Sequence, residues 1–307
     1  MRAPTGEQFE LHLSHEGRTA RAIITELAAS LRVLEIDSVA VTQPYPEESL
    51  PPFGCGIVLA PWPNRVRNGR WELDGTTQQL DLTEPARNNA IHGLLRNAPY
   101  TVAERTDTAI TLAAPVFPQH GYPFLLDTTV RYELLPGGLA VTHTATNRST
   151  APAPVAFGVH PFFRIGEVPV EELVLTVEAE TRVETDDRLN PIGVEAVDGT
   201  RFDLRGGRPV GELELDDAFG DLTARDGRIT HTLAAPGGRE VRIWQEEQWG
   251  WVQVFTTREF PQGEGRGLAV AIEPMTAPPD ALNSGQGLRW LDPEETWSAS
   301  WGVEYAS

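Results

Sequence analysis

Glu273 closes the apolar run LAVAI, Leu268 to Ile272, and is followed by Pro274. A carboxylate at the end of a buried strand is costly unless it is paired or has a task. Glu273 is therefore a candidate proton acceptor, with a salt-bridged structural glutamate as the ordinary alternative. His160, in GVHPFF, and His92, in NNAIHGLL, each end an apolar stretch beside proline or glycine. Such strand-to-loop positions often present functional side chains. Imidazole changes charge near neutral pH. A histidine beside aromatic rings can thus be a proton donor, packed core, or a loop residue bonded to a carbonyl. Asp216 and Asp217, in LDDAFGDL, fit calcium ligation, a catalytic dyad or an exposed turn.

A second polar cluster is APWPNRVRNGRW. Trp62 can stack on a flat apolar ligand face such as a sugar ring. Asn64 and Arg65 can donate hydrogen bonds to hydroxyls, Arg65 through a rigid fork. The plain alternative is a turn entering a hairpin, with Arg65 bound to a carboxylate. The other histidines offer less. His12 and His15 fall on opposite faces of a strand and make poor co-ligands. His143 and His231 sit inside regular strands as structural residues, and His120 precedes a turn.

Composition removes several chemistries. All 25 basic residues are arginines, and the chain has no lysine. That excludes a Schiff-base lysine, a pyridoxal phosphate anchor and a P-loop lysine. The single cysteine, Cys55, excludes an internal disulfide and thiolate zinc sites, and it fits a reducing compartment. A net charge of −19 opposes nucleic acid and anionic membranes as partners. No apolar run is long enough to span a bilayer. MRAPTGEQFELHLSHEG lacks the apolar core of a secretory signal, so a cytoplasmic location is expected.

The elements that position these residues are strands. FELHLSH, TARAIITEL, SLRVLEID, LVLTVEAETRVET, WGWVQVFTT and GLAVAIEP have β-type patterning. LDTTVRYELLPGGLAVTHTATN reads as a hairpin: Val130, Tyr132 and Leu134 alternate with polar residues, Pro136-Gly137-Gly138 turns, and Leu139, Val141, His143 and Ala145 alternate again. Helix candidates are short, no linker or repeat stands out, and the spacing predicts an all-β chain of packed antiparallel sheets or a barrel. Residues 1–307 are expected to form one large β-sandwich domain.

In order, PNRVRNGRWELDG, NNAIHGL, GVHPFFRIG, LDDAFGDL and AIEPMTAPPDALN resemble the motifs of the aldose 1-epimerases, or galactose mutarotases. The resemblance covers nearly the whole chain. It implies a galactose mutarotase-like β-supersandwich that interconverts the anomers of a free sugar without metal or cofactor, as a monomer or homodimer. Position by position, Glu273 matches the general base, His160 the general acid, and His92 a second histidine that bonds the sugar. Arg65 with Asn64 matches the pair that contacts hydroxyls. Asp216 matches the sugar-binding aspartate of the D-x-x-F pattern, which leaves Asp217 as a neighbour.

The implied chemistry suits these residue types. Mutarotation removes the proton of the anomeric hydroxyl and delivers one to the ring oxygen, and a base and an acid on opposite sides of the ring can do both. Nearby carboxylates are expected to raise the His160 pKa and keep the ring charged. Two departures bear on the sugar and leave the reaction untouched. The family usually has Asn-Leu where this chain has Arg164-Ile165, and the strand IVLAPWP lacks the usual Gly-Arg character. If HPFFR stays extended, Arg164 shares a face with His160 and meets an anionic sugar. If Pro161 breaks the alternation, Arg164 pairs with an acid such as Glu167, which is the expected arrangement. A hexose-6-phosphate epimerase and a non-catalytic carbohydrate-binding module of the same architecture are the competing functions.

Overall fold

The expected hairpin forms as Leu126–Leu135 and Gly138–Asn147, turning at Pro136 and Gly137. The computed structural model describes residues 2–307. Gly137 takes a left-handed φ of 86°, which a side chain would oppose. Val130, Tyr132, Leu134, Leu139, Val141, His143 and Ala145 are buried on the inner face. Thr142, Thr144 and Thr146 point the other way and share hydrogen bonds with Ser300, Ser298 and Thr296 of the strand Thr296–Ala306. Period-two patterning thus becomes one buried face and one hydroxyl-lined face.

This hairpin lies within a large antiparallel sheet. Thr101–Arg105, Ala109–Val116 and the hairpin are followed across the sheet by Thr296–Ala306, Glu240–Glu246, Arg228–Ala234, Val174–Thr176 and Arg208–Pro209. A second large sheet runs Pro191–Ala196, Ala179–Thr185, Asp216–Leu222, Trp251–Gln262, Gly265–Met275, Gly158–Val159 and Val58–Leu59. Ile110, Val141, Ile243 and Val303 of the first sheet join Val252, Val254, Val270 and Ile272 of the second in one apolar core. The two sheets are therefore layers of a sandwich, as the sequence predicts. A four-stranded sheet, Gln8–His15 through Val39–Ala40, adds Leu11, Ile24 and Leu34 to the same core. The α-helix among the described residues is Ala281–Ser284, and no helix is long and apolar enough to cross a membrane.

The second sheet is covered on both sides, and that positions the site. Val252 and Val254 face the main core, so alternation sends Gln253 and Phe255 to the opposite face. On the neighbouring strand Val270 and Ile272 face the core, while Ala269, Ala271 and Glu273 face away. Register places Gln253 opposite Glu273 and Phe255 opposite Ala271. A row of polar groups is thereby fixed on the outer face.

His143 and His231 are structural, as expected. His143 Nε2 accepts from Trp301 Nε1 at 3.1 Å, and His231 Nε2 lies 3.1 Å from Gln245 Oε1. Burial pushes His143 down to about 3 and His231 down to about 4. An unfolded histidine takes up its proton near pH 6.5, whereas these stay neutral until much lower pH. The unfolded state therefore binds more protons in that interval, and stability falls as pH falls. Denaturant titrations should lose about 2 kcal/mol for each histidine between pH 7 and pH 5. His143→Phe should remove its own share, about 2 kcal/mol, of that pH dependence. Equal stability of the wild type at both pH values would contradict the assignment.

Candidate active site

On the outer face of the second sheet lies a cavity of about 350 Å³. That volume is at the small end of ordinary ligand pockets, roughly 300–1,000 Å³. Its lining includes Asn64, Arg65, His92, His160, Asp216 and Glu273, which converge from five separate parts of the chain. Gln253, Glu84, Arg87, Ile91, Phe53 and Phe255 complete it.

Each polar group has a local cause. Asn64 adopts a left-handed φ of 55°, and its Oδ1 accepts the Arg65 amide at 2.8 Å. The short strand Arg65–Arg67 then pairs with Asn89–Ile91. His92 follows at a φ of 65°, and its amide donates to the Asn64 carbonyl at 2.9 Å. Gly93 comes next because a Cβ there would collide with the Ala60 carbonyl oxygen. His160 sits between the strands Gly158–Val159 and Phe162–Phe163, and its ring stacks on Phe162 with centroids 5.5 Å apart. The His92 ring meets His160 edge-on at 5.4 Å. Phe163, by contrast, lies in the main core.

Alternation also separates the two aspartates. Asp216 pairs with Phe255 and faces the cavity, where its Oδ1 accepts from Gln253 Nε2 at 2.7 Å. Asp217 pairs with Val254 and binds Arg182 away from the cavity. Gln253 is held at both ends: its Oε1 accepts from Asn64 Nδ2 at 3.1 Å while its Nε2 donates to Asp216. Arg65 commits one edge of its fork to Glu84, with Nε and NH2 donating at 2.9 and 3.1 Å. Its NH2 also lies 3.6 Å from Asp216.

Glu273 and His160 face each other, Oε1 to Nε2, at 3.4 Å, with both side chains at least nine-tenths buried. Burial, together with the charge of Asp216, raises the Glu273 carboxyl well above its usual range, and Arg65 opposes the shift. Burial lowers His160 to about 4, and the Arg96 and Arg65 charges add to that. Burial and the neighbouring His160 also lower His92. The expectation of a charged His160 is thus reversed. Burial pushes both members of the pair toward their uncharged forms.

One further expectation is corrected. Trp62 is only 2% exposed and packs against Tyr122 in the main core, so it does not reach the cavity. Its place beside the Asn-Arg pair misled, because a buried strand end has the same residue types as a binding loop. Asp280, in the loop after Glu273, ties back to the backbone of Arg65 and Arg67. Arg164 follows the second alternative: its Nε donates to the Gly166 carbonyl at 2.7 Å and NH2 lies 3.9 Å from Glu167. Sequence reading missed Gln253, Phe255, Glu84, Arg87 and Phe53. The alternation WVQVF, with a lone amide between valines, is the signal that marks Gln253.

The family model described as aldose 1-epimerase matches residues 17–303. An uncharacterized protein named YihR from Escherichia coli K12 is 33% identical over 275 residues, covering 88% of this chain and 85% of that protein. A maltose epimerase from Levilactobacillus brevis is 28% identical over 245 residues, covering 71% of this chain and 69% of that enzyme. Among solved structures, the GalM/aldose epimerase homologue from C. elegans superposes with a TM-score of 0.83 at 18% identity, covering 98% of this chain and 99% of that one. That likeness shows the fold.

The Arg65–Glu84 pair is nearly buried, with side chains 9% and 15% exposed. Glu84→Gln leaves a guanidinium in a poor solvent with half its partner gone, a loss of about 3 kcal/mol. The double variant Glu84→Gln/Arg65→Met should recover most of it. Denaturant midpoints of the two variants check this; a wild-type midpoint for Glu84→Gln would refute it.

Proposed function

The chain belongs to the aldose 1-epimerase family, and from that membership we propose that it interconverts the α and β anomers of a free, neutral aldohexose. The observation that carries the proposal is the buried contact between Glu273 and His160 in a cavity of hexose size. Glu273 takes the proton of the anomeric hydroxyl while His160 delivers one to the ring oxygen. The ring opens, the aldehyde end turns, and closure with the roles reversed yields either anomer. His92, Asn64, Arg65 and Asp216 hold the remaining oxygens. The two side chains manage both protons, so no step is assigned to a cofactor.

The scheme uses the charged form of the pair, a Glu273 carboxylate and a His160 imidazolium. That form holds the same single proton as the uncharged form that burial favours, so moving between them takes no proton from solvent. Gln253 and Arg65 meanwhile keep Asp216 fixed at the cavity wall. With Arg164 turned away, the charge that a sequence reading offered to an anionic sugar lies outside the cavity. Polarimetry on glucose, galactose, their 6-phosphates and maltose separates the epimerase from a phosphosugar enzyme, and from a binding module that turns over none.

Glu273→Gln is nearly isosteric and cannot accept the anomeric proton. Its turnover should fall about 10²–10⁴-fold with the fold intact. Near-normal turnover would remove Glu273 from the mechanism. The pH profile gives a second check. The pair holds two protons below the His160 value of about 4, and none above the raised value of Glu273. As these limits belong to the coupled pair, kcat/KM should decline on the acid side near pH 4. A decline near 6.5, where a free histidine titrates, would show that the pair is not coupled as described.

A further inference from the structure

Arg65 lines the cavity, and the chain of contacts that fixes it leads out of the cavity. Glu84 accepts from Arg65 Nε and NH2, from Arg87 NH1 at 3.1 Å and from Asn89 Nδ2 at 3.3 Å. Asn89 Nδ2 also donates to the Arg188 carbonyl at 3.0 Å. Arg188 belongs to the tip of the hairpin formed by Ala179–Thr185 and Pro191–Ala196. We propose that Asn89 is a positioning residue for sugar binding: it couples that tip to Glu84, and through Glu84 it sets the guanidinium of Arg65. The proposal rests on the epimerase reading above for the sugar that Arg65 holds.

The side chain of Asn89 has one workable orientation. It is fully buried, and both groups that its amide nitrogen meets are acceptors, a carboxylate and a carbonyl. The nitrogen carries two hydrogens and each has a partner, whereas an oxygen turned to the same place would meet only oxygens. The backbone keeps the residue there. The Glu84 amide donates to the Asn89 carbonyl at 2.9 Å, and the Asn89 amide to the Glu84 carbonyl at 3.2 Å, closing the turn Pro85–Arg87 between them. Burial would raise the Glu84 carboxyl, but the bonds from Arg65 and Asn89, with the charges of Arg65 and Arg87, hold it below its ordinary value. The charge that grips Arg65 is thereby kept in a poorly solvated place.

The hairpin ties together two walls of the cavity. Its strand Ala179–Thr185 pairs with Asp216–Leu222, which carries Asp216. Its tip docks on the segments that carry Arg65 and His92. Arg67 NH2 donates to the Pro191 carbonyl at 2.5 Å and NH1 to Asp186 Oδ2 at 3.4 Å, while Arg188 NH2 donates to Asn68 Oδ1 at 2.9 Å. Asp186 Oδ1 accepts the amides of Arg188 and Asn190 at 2.9 and 3.0 Å, and the Arg188 carbonyl between those amides is the one that meets Asn89. Arg65 and Asp216 stand 3.6 Å apart. A donor and an acceptor held at such a spacing can bracket one sugar hydroxyl, and the hairpin is bonded to the strands of both.

Asn89→Leu is nearly isosteric, has no donor and leaves no space for water. Two readouts follow the variant. Nitrogen-resolved NMR gives the exchange rate of the Arg65 Nε proton, with the Arg18 Nε proton, bonded to Asp37 at 2.6 Å outside the cavity, as control. The Arg65 proton should exchange about tenfold faster and the Arg18 proton at its wild-type rate. On glucose or galactose, KM should rise about fivefold at unchanged kcat, because a hydroxyl remote from the reacting carbon is held alike before and during reaction. Arg67→Met loosens the tip from its other side and should shift both readouts the same way, by about threefold; it carries the test if Asn89→Leu does not fold. A wild-type chain that turns over neither sugar refutes the epimerase reading, and the exchange rates then decide the coupling of Asn89 to Arg65 without it. Unchanged Arg65 exchange in both variants, equal acceleration of Arg65 and Arg18, or faster Arg65 exchange with unchanged KM overturns the proposal.

Discussion

A carboxyl and an imidazole, both largely buried, face each other at the wall of one cavity, and the rest of the site is arranged around that contact. Neither group would stand alone there. A buried carboxylate without a partner is strongly unfavourable, as is a buried imidazolium. They stand 3.4 Å apart, and burial favours the uncharged form of each. The sheet holds the distance, because Glu273 lies on Gly265–Met275 and that strand also pairs with Phe162–Phe163, just after His160. Phe162 stacks against the imidazole and leaves it little freedom to turn away.

Around the pair, the charged groups are arranged to be nearly neutral together. Glu84 takes one edge of Arg65, Asp216 takes a longer contact, and Gln253 ties Asp216 to Asn64. A free guanidinium in this position would draw the Glu273 proton off by its field. Bound to Glu84, Arg65 keeps its geometry but loses much of that influence. The polar groups of the cavity are thus set by partners behind them, before any ligand arrives, which is how a polar site avoids reorganising during reaction.

Much of this was legible in the sequence, and the failures have physical reasons. The strands and the central hairpin followed from alternation. Glu273, His160, His92, Asn64, Arg65 and Asp216 do come together, although nothing in their spacing brings five separate segments to one face. Only the order of the motifs did that. Trp62 was misplaced because tryptophan beside proline has the same signature in a core as at a binding surface. The protonation of His160 was misjudged because a sequence shows which acids are present but not how dry they are. Gln253 was missed because a neutral amide attracts no notice until its register partner is known to be Glu273.

The two-sided sheet has an evolutionary consequence. On Trp251–Gln262 and Gly265–Met275, odd and even positions answer to different demands. Val252, Val254, Val270 and Ile272 belong to the shared core, and a change there is felt through the whole sandwich. Phe255 lies on the other face, partly open and lining the cavity. A lineage can therefore exchange what it recognises one residue at a time, at alternate positions, without first accumulating spare stability. The fold is conservative and its ligand is negotiable, because a single strand keeps the two ledgers on opposite sides.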